Sequence, residues 1–221
     1  MRVLDWRLFA AASLAWATQA FSQASPSEEP TLEWHFNIGA SVPAGETSTY
    51  LDTGPVIGGG LRWNTGGPWA LLAELQYSSY HATSEGIRLA NAQSNSVRID
   101  NGWGDIWGLN ANGVYKIPIS QRARAYVTAG VGLGHRSVNL SQTVLLAGTY
   151  CDPWWGYCYP GVIPGQAIVA EQTTTRFAWN VGFGFEFPQT YGGAWFIDAR
   201  FQRIETQKPT EYIPVQVGFR F

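Results

Sequence analysis

Imidazole is the side chain best suited to moving a proton near neutral pH, and the sequence has three: His35, His81 and His135. A hydrolase or acyl transferase would need such a base beside a hydroxyl nucleophile. His81 has Ser79, Ser84 and Glu85 close by in sequence, and His135 is followed by Ser137. No spacing among them reproduces a catalytic signature, so no residue is assigned a catalytic role. The run Gly58-Gly59-Gly60 and the alternating Gly130, Gly132 and Gly134 invite a phosphate-loop reading. A phosphate loop must open onto a helix, and strand-like sequence surrounds both. No cofactor and no metal are expected, because the two cysteines have no histidine or second cysteine pair beside them.

Those cysteines, Cys151 and Cys158, enclose Asp152-Pro153-Trp154-Trp155-Gly156-Tyr157. In an exported chain two such cysteines are expected to pair. Closing so short a ring stabilises it by about 2.5 kcal/mol on loop-entropy arithmetic, enough to pin a loop tip but not to hold a fold. Tyr150, Trp154, Trp155, Tyr157 and Tyr159 surround the pair. They read either as a rigid aromatic surface that contacts lipopolysaccharide, a sugar or a host surface, or as a loop that packs on its own rings.

Export is indicated by the first two dozen residues. Arg2 and Arg7 precede the apolar stretch Leu8 to Ala17, and small residues follow at Thr18, Ala20, Ser22 and Ala24. This pattern is a secretory signal, residues 1–24, with cleavage after Ala20 or Ala24. No later stretch approaches 18 uninterrupted apolar residues, so no membrane-spanning helix is expected. Charge is sparse and balanced, 14 Lys+Arg against 16 Asp+Glu among 221 residues. That excludes a nucleic-acid partner, which would need a basic stripe. With 25 Gly, 11 Trp, 10 Tyr and 11 Phe, two classes remain: a carbohydrate-binding all-β domain, or a barrel whose outside meets lipid.

Periodicity separates them. From Glu33 onward apolar residues alternate with polar or small ones, the period of a strand. Eight such segments occur, for example Trp34, Phe36, Ile38, Ala40 and Val42 in the first, and Ile213, Val215, Val217, Phe219 and Phe221 in the last. The fifth is expected over Arg124 to Gly134 and the sixth over Arg176 to Phe187. Tight turns at Asn64 to Pro68, Pro118 to Arg122 and Pro188 to Gly193 alternate with long polar connections. The long ones are Pro43 to Thr53, His81 to Asn101, Ser137 to Thr173 and Ile204 to Glu211. A soluble sandwich or lipocalin has no reason to sort its loops by length; an outer-membrane barrel does. The polar face is also too rich in glycine to form a solvated coat and suits a narrow interior. The opposite face has Trp and Phe towards strand ends and aliphatics between, as a lipid-facing band does.

The fold expected is therefore all-β: an eight-stranded antiparallel up-and-down transmembrane β-barrel over residues 31–221. Its lumen would hold Glu33, Arg62, Glu74, Lys116, Arg124, Arg176, Glu186, Asp198, Arg200 and Arg220. Eight strands enclose only enough space for side chains, and buried charges persist when paired. A plug of internal ion pairs is thus favoured over a polar pore.

The stretches Val42-Pro43-Ala44-Gly45-Glu46 and Tyr50-Leu51-Asp52-Thr53-Gly54 resemble the first hairpin of the outer-membrane β-barrel domain family, the small OmpA-like and OmpX-like barrels. The ending Tyr212-Ile213-Pro214-Val215-Gln216-Val217-Gly218-Phe219-Arg220-Phe221 is similar to its last strand. The resemblance implies a place in the bacterial outer membrane among lipid and lipopolysaccharide. It also implies that Val217, Phe219 and Phe221 are read by the barrel-assembly machinery, although Gln216 stands where the family usually has glycine. No peptidoglycan-binding domain is expected beyond the barrel. Some eight-stranded members are lipid A acylases or deacylases. The reading for this chain is non-enzymatic, an envelope-structure or surface-interaction protein with long external loops. A lipid A-modifying enzyme and a small pore are the alternatives.

Overall fold

The computed structural model describes residues 31–94, 98–120, 122–189 and 192–221; the expected signal segment, with both cleavage points, lies outside them. Eight antiparallel strands form a closed ring, each paired with its neighbours in sequence. They are β1 (Leu32–Ala44), β2 (Gly54–Asn64), β3 (Trp69–His81), β4 (Asn101–Ser120), β5 (Ala123–Cys151), β6 (Cys158–Pro188), β7 (Ala194–Ile204) and β8 (Thr210–Arg220). Closure is made by β1 on β8, in register from His35↔Arg220 to Ala44↔Glu211. Trp34 and Phe221 extend it by exchanging backbone hydrogen bonds of 2.8 and 3.1 Å.

The two ends of the ring differ. At one, β2–β3, β4–β5 and β6–β7 are joined by short turns. At the other lie the long connections, two of which contain helices: α1 (Thr47–Tyr50) and α2 (Ser84–Gln93). The segment His81 to Asn101, read as loop, is thus partly helical. Thr83 is its N-cap, with Oγ1 accepting from the Gly86 amide at 2.9 Å.

The larger correction concerns Ser137 to Thr173. This is not a loop but an extension of β5 and β6, which stay paired from Arg124↔Glu186 to Cys151↔Cys158, with one irregularity at Leu140/Ser141. Beyond Ser141, the last β5 residue opposite β4, the ribbon continues for ten residues, about 34 Å at about 3.4 Å per residue. Pairing persists there while the apolar alternation fades. Above the ring neither face of the ribbon is held against lipid, so no periodicity is imposed, and Thr173, Thr174 and Thr175 serve as well as Val or Phe.

The outward face is apolar and exposed: Ile38, Ile57, Leu75, Leu109, Val131, Val181, Ile197 and Val215 lie along its middle. Aromatics bracket that band. Near the short turns Trp69 packs on Tyr115 and Trp195 on Phe219, both with ring centroids 4.9 Å apart. Towards the other end Tyr77 packs on Trp107 at 4.7 Å and Trp179 on Phe201 at 5.6 Å. From Trp69 to Tyr77 the strand advances eight residues. With a tilt of about 40° that is about 21 Å of height, close to the ~25 Å lipid-facing band of such barrels.

Inside, glycine is required by what stands opposite. A Cβ on Gly184 would lie 2.5 Å from Tyr126 Cζ and 2.7 Å from Asp198 Cβ, and one on Gly218 would lie 2.2 Å from Phe196 Cζ. Gly184→Ala should therefore displace the Tyr126 ring and cost about 1–3 kcal/mol, as overpacking does. Gly113→Ala, which meets only Ala129 O at 3.8 Å, should be neutral. Urea unfolding in lipid vesicles, followed by tryptophan fluorescence, measures both; equal effects would refute the packing argument.

Candidate functional site

Because strand side chains alternate, the inward residues of all eight strands converge on one narrow lumen. Its centre is an ion cluster. Arg200 Nη2 donates to Asp198 Oδ2 at 2.7 Å, and Arg200 Nη1 donates to Glu74 Oε2. Tyr126 donates its hydroxyl to Asp198 Oδ2 at 2.8 Å. His35 Nε2 lies 3.2 Å from Glu74 Oε1, and its ring stacks on Phe196 at 4.5 Å. Nearer the short turns, Glu186 Oε2 accepts from Arg62 at 3.0 Å and from Arg220 at 2.7 Å. Glu33 is 4.0 Å from Arg62 Nε. The Arg220 guanidinium sits 4.6 Å from the centroid of the Phe196 ring. Lys116 Nζ donates to Asn64 Oδ1 at 3.5 Å.

Of the remaining expected lumen charges, Arg124 borders this cluster and Arg176 lies outside it. Arg124 is only half-buried, at the short-turn rim, 4.0 Å from Glu186 Oε1. Arg176 is exposed. It has inward parity on β6, but it lies past Ala178, the last β6 residue paired with β7, where the ring has ended and inward no longer means buried. Conversely, His35 belongs to the cluster although sequence reading assigned it no role; its parity with Glu33 and Asn37 was the signal.

Above the ions lies a belt of amides. Asn180 Nδ2 donates to Asn112 Oδ1 at 2.8 Å, Gln202 Nε2 to Gln76 Oε1 at 2.7 Å, and Tyr212 to Gln202 Oε1 at 2.9 Å. Leu51, Tyr80, Ile106, Ala178, Ile204 and Tyr212 then close the lumen with an apolar layer. Among His35, Arg62, Tyr126 and Arg200 a void of only about 10 Å³ remains, room for one water at most.

The long-connection end presents different chemistry. A disulfide joins Cys151 and Cys158, opposite one another at the end of the ribbon. Between them Asp152 organises the turn: Oδ1 accepts from the amides of Trp154 at 2.7 Å and Trp155 at 3.2 Å. Its carbonyl accepts from the Gly156 amide at 3.0 Å. Gly156 has φ +70°, a left-handed conformation that glycine adopts without strain. Trp154 is 87% and Trp155 75% exposed, and Tyr157 and Tyr159 are exposed too; the Tyr150 side chain lies outside the described residues. These rings do not pack on one another to hide their surface.

The three histidines are far apart in role. His35 is buried in the lumen, while His81 ends β3 and is exposed. His135 lies within β5, which continues well past it, and its Nδ1 is 2.8 Å from the hydroxyl of its cross-strand partner Thr175. Val217 and Phe221 face outward from the end of the chain, with the Phe221 ring 5.9 Å from Phe36.

A closed eight-stranded ring, apolar outside and ionic within, is an inverted globule that only lipid can solvate. The sequence matches the outer membrane protein beta-barrel domain over residues 8–221. The chain belongs to that family. It is a protein of the bacterial outer membrane. No curated protein matches the sequence. Among solved structures the barrel is similar to Ail, the attachment invasion locus protein of Yersinia pestis, in complex with the heparin analogue sucrose octasulfate. Identity is 16%, the match covers 86% of this chain and 99% of that one, and the TM-score is 0.50. It is also similar to Neisserial surface protein A, at 11% identity over 86% of this chain and 96% of that one, with a TM-score of 0.55.

Removing one partner of a buried ion pair strands the other. Glu74→Gln should therefore destabilise the barrel by about 3–5 kcal/mol, whereas Arg176→Gln should change stability by no more than about 0.5 kcal/mol, as surface changes do. Urea titrations of the folded protein in vesicles test the pair. A large loss at Arg176 with none at Glu74 would mean that the lumen has been placed in the wrong part of the ring.

Proposed function

We propose that this barrel is a non-enzymatic surface-interaction protein of the outer membrane, and that the tip of the β5–β6 ribbon is its contact site. The observation that carries the reading is the pair Trp154 and Trp155, held almost fully exposed by Asp152 and the Cys151–Cys158 bridge. Exposing large rings on a rigid support favours binding, because little side-chain freedom is left to lose. The ribbon carries only Asp152 and Glu171 as charges between Ser137 and Thr175. Its chemistry thus favours a neutral sugar or an apolar host surface over a polyanion such as the heparin analogue bound by Ail.

The orientation follows from loop length. Short turns suit the periplasmic side and long connections the outside. Eight strands return the chain to the side where it began, so both termini lie in the periplasm. Lipopolysaccharide then surrounds the outer aromatic belt, and Val217, Phe219 and Phe221 form the signal read by the barrel-assembly machinery. The filled lumen argues against a pore.

An epitope tag inserted at Gly156, in the exposed turn that ends the ribbon, should be labelled by antibody on intact cells, since exposed tips accept insertions. Cells displaying Trp154→Ala/Trp155→Ala should lose adhesion to host-cell or polysaccharide layers while keeping surface amounts of barrel. Labelling of a Gln189 tag instead would invert the orientation. Undiminished adhesion of the double variant would remove the tip as the contact site.

The competing reading is a lipid A-modifying enzyme, and the observation in its favour is the His135–Thr175 pair. Among the described residues no carboxylate is bonded to that imidazole to orient it, as a triad requires. His135→Ala should therefore leave the lipid A mass profile of expressing cells unchanged. A profile that shifts only with the wild-type barrel would establish the enzyme.

A further inference from the structure

The apolar layer that closes the lumen is also the floor of a cleft of about 340 Å³ open to the long-connection end. That size is within the roughly 300–1,000 Å³ of small-ligand sites. Leu51 forms the floor. Leu89 and Ala90 of α2 make one wall, and Val138 and Leu140 of β5 make the other, beside the backbone of β4 at Gly102 to Gly104. The rim holds Lys208 and Tyr50, with the Lys208 ammonium 5.9 Å from the ring centroid, and the acid on the lining is Glu46.

Arg136 is the unusual member. Its guanidinium is half-buried and donates from Nη1 to Thr210 Oγ1 at 2.7 Å. Among the described residues no carboxylate is paired with it, whereas Arg62, Arg200 and Arg220 inside the ring each hold one. Burial pushes its pKa below the usual arginine value. A half-buried cation without a counter-ion has lost part of its hydration with nothing charged to replace it, so an anion there is favoured. Arg136, Val138 and Leu140 share one face of β5, so charge gives way to apolar contact within four residues along the strand.

We propose that this cleft binds a single-chain anionic amphiphile, its headgroup between Arg136, Lys208 and the Thr210 hydroxyl and its alkyl chain between α2 and the Val138–Leu140 wall. The site is separate from the aromatic tip and stands whether or not that tip binds anything. The head supplies the charge that Arg136 lacks. The chain covers apolar surface that otherwise faces water. Glu46 lies at the rim beside α1 and disfavours a second negative group there, which selects a small head with one anionic centre.

The test uses the full barrel in detergent-free phosphatidylcholine nanodiscs, with dibromododecanoate as a quencher of tryptophan fluorescence. A saturable component should appear in the wild type and vanish in Leu140→Glu, which puts a like charge into the apolar wall; non-saturable quenching of the lipid-facing tryptophans is common to both. Arg136→Gln should raise the half-saturating concentration about tenfold, the loss of one charge-assisted contact, and Arg136→Lys should restore much of it. The neutral methyl ester should bind about as weakly as the acid does to Arg136→Gln, and butyrate should not compete. Heat-dependent migration on SDS gels checks that each variant is folded. The proposal fails if no saturable component appears or if Leu140→Glu retains it. It fails equally if ester and acid bind alike, if Arg136→Gln binds as the wild type does, or if butyrate competes as well as dodecanoate, which would mean a bare anion site.

Discussion

In hydrocarbon a backbone amide has no partner except another backbone group, so a spanning sheet must have no edge. The β1–β8 pairing meets that demand, and the rest of the architecture is its consequence. Closing with eight strands fixes a ring whose interior holds side chains and little else. Every inward residue is then in contact with others across the ring, and its size and charge are set by those neighbours. Gly184 is small because Tyr126 is opposite, and Gly218 because Phe196 is. Glu74 is ionic because Arg200 and His35 both reach it.

The interior is graded along the axis. Arginines and carboxylates occupy the half near the short turns, packed among Ala70, Leu72, Val114 and Phe196, amides the middle, and Leu51, Ile106 and Ile204 the far end. The order has a physical sense. The ions sit where the strands supply facing carboxylates and guanidiniums at hydrogen-bond distance. The apolar layer separates this network from the water above the long connections, where screening would weaken the pairs. The same layer gives α1 and α2 a surface to rest over, and so creates the cleft that Arg136 overlooks.

Above the ring the constraint is lifted. β5 and β6 keep their mutual pairing, but past Ser141 and Ala178 they lose their other neighbours, and both faces of the ribbon are free of lipid. What holds it is cross-strand bonding, with the Cys151–Cys158 bridge and the Asp152 turn at its end. Rigidity at the tip, far from the barrel, is thus obtained from local covalent and backbone geometry and not from packing.

The sequence by itself determined the strands of the ring, their faces and the sorting of loops by length, because lipid on one side and a crowded lumen on the other force a strict period of two. It also marked the ion-pairing residues, since charge on an inward parity has nowhere to go except to a partner. It did not show where that parity stops mattering: Arg176 follows the same alternation as Asn180 but lies beyond the end of the ring, and only the pairing of β6 with β7 reveals it. Nor could it show that Ser137 to Thr173 is strand, because a two-stranded ribbon in water imposes no hydrophobic period on its residues. His35 beside Glu74, and Arg136 without a carboxylate, depend on strands distant in sequence meeting across the ring. Such pairings are fixed by register and closure, which are properties of the whole sheet and of no single segment.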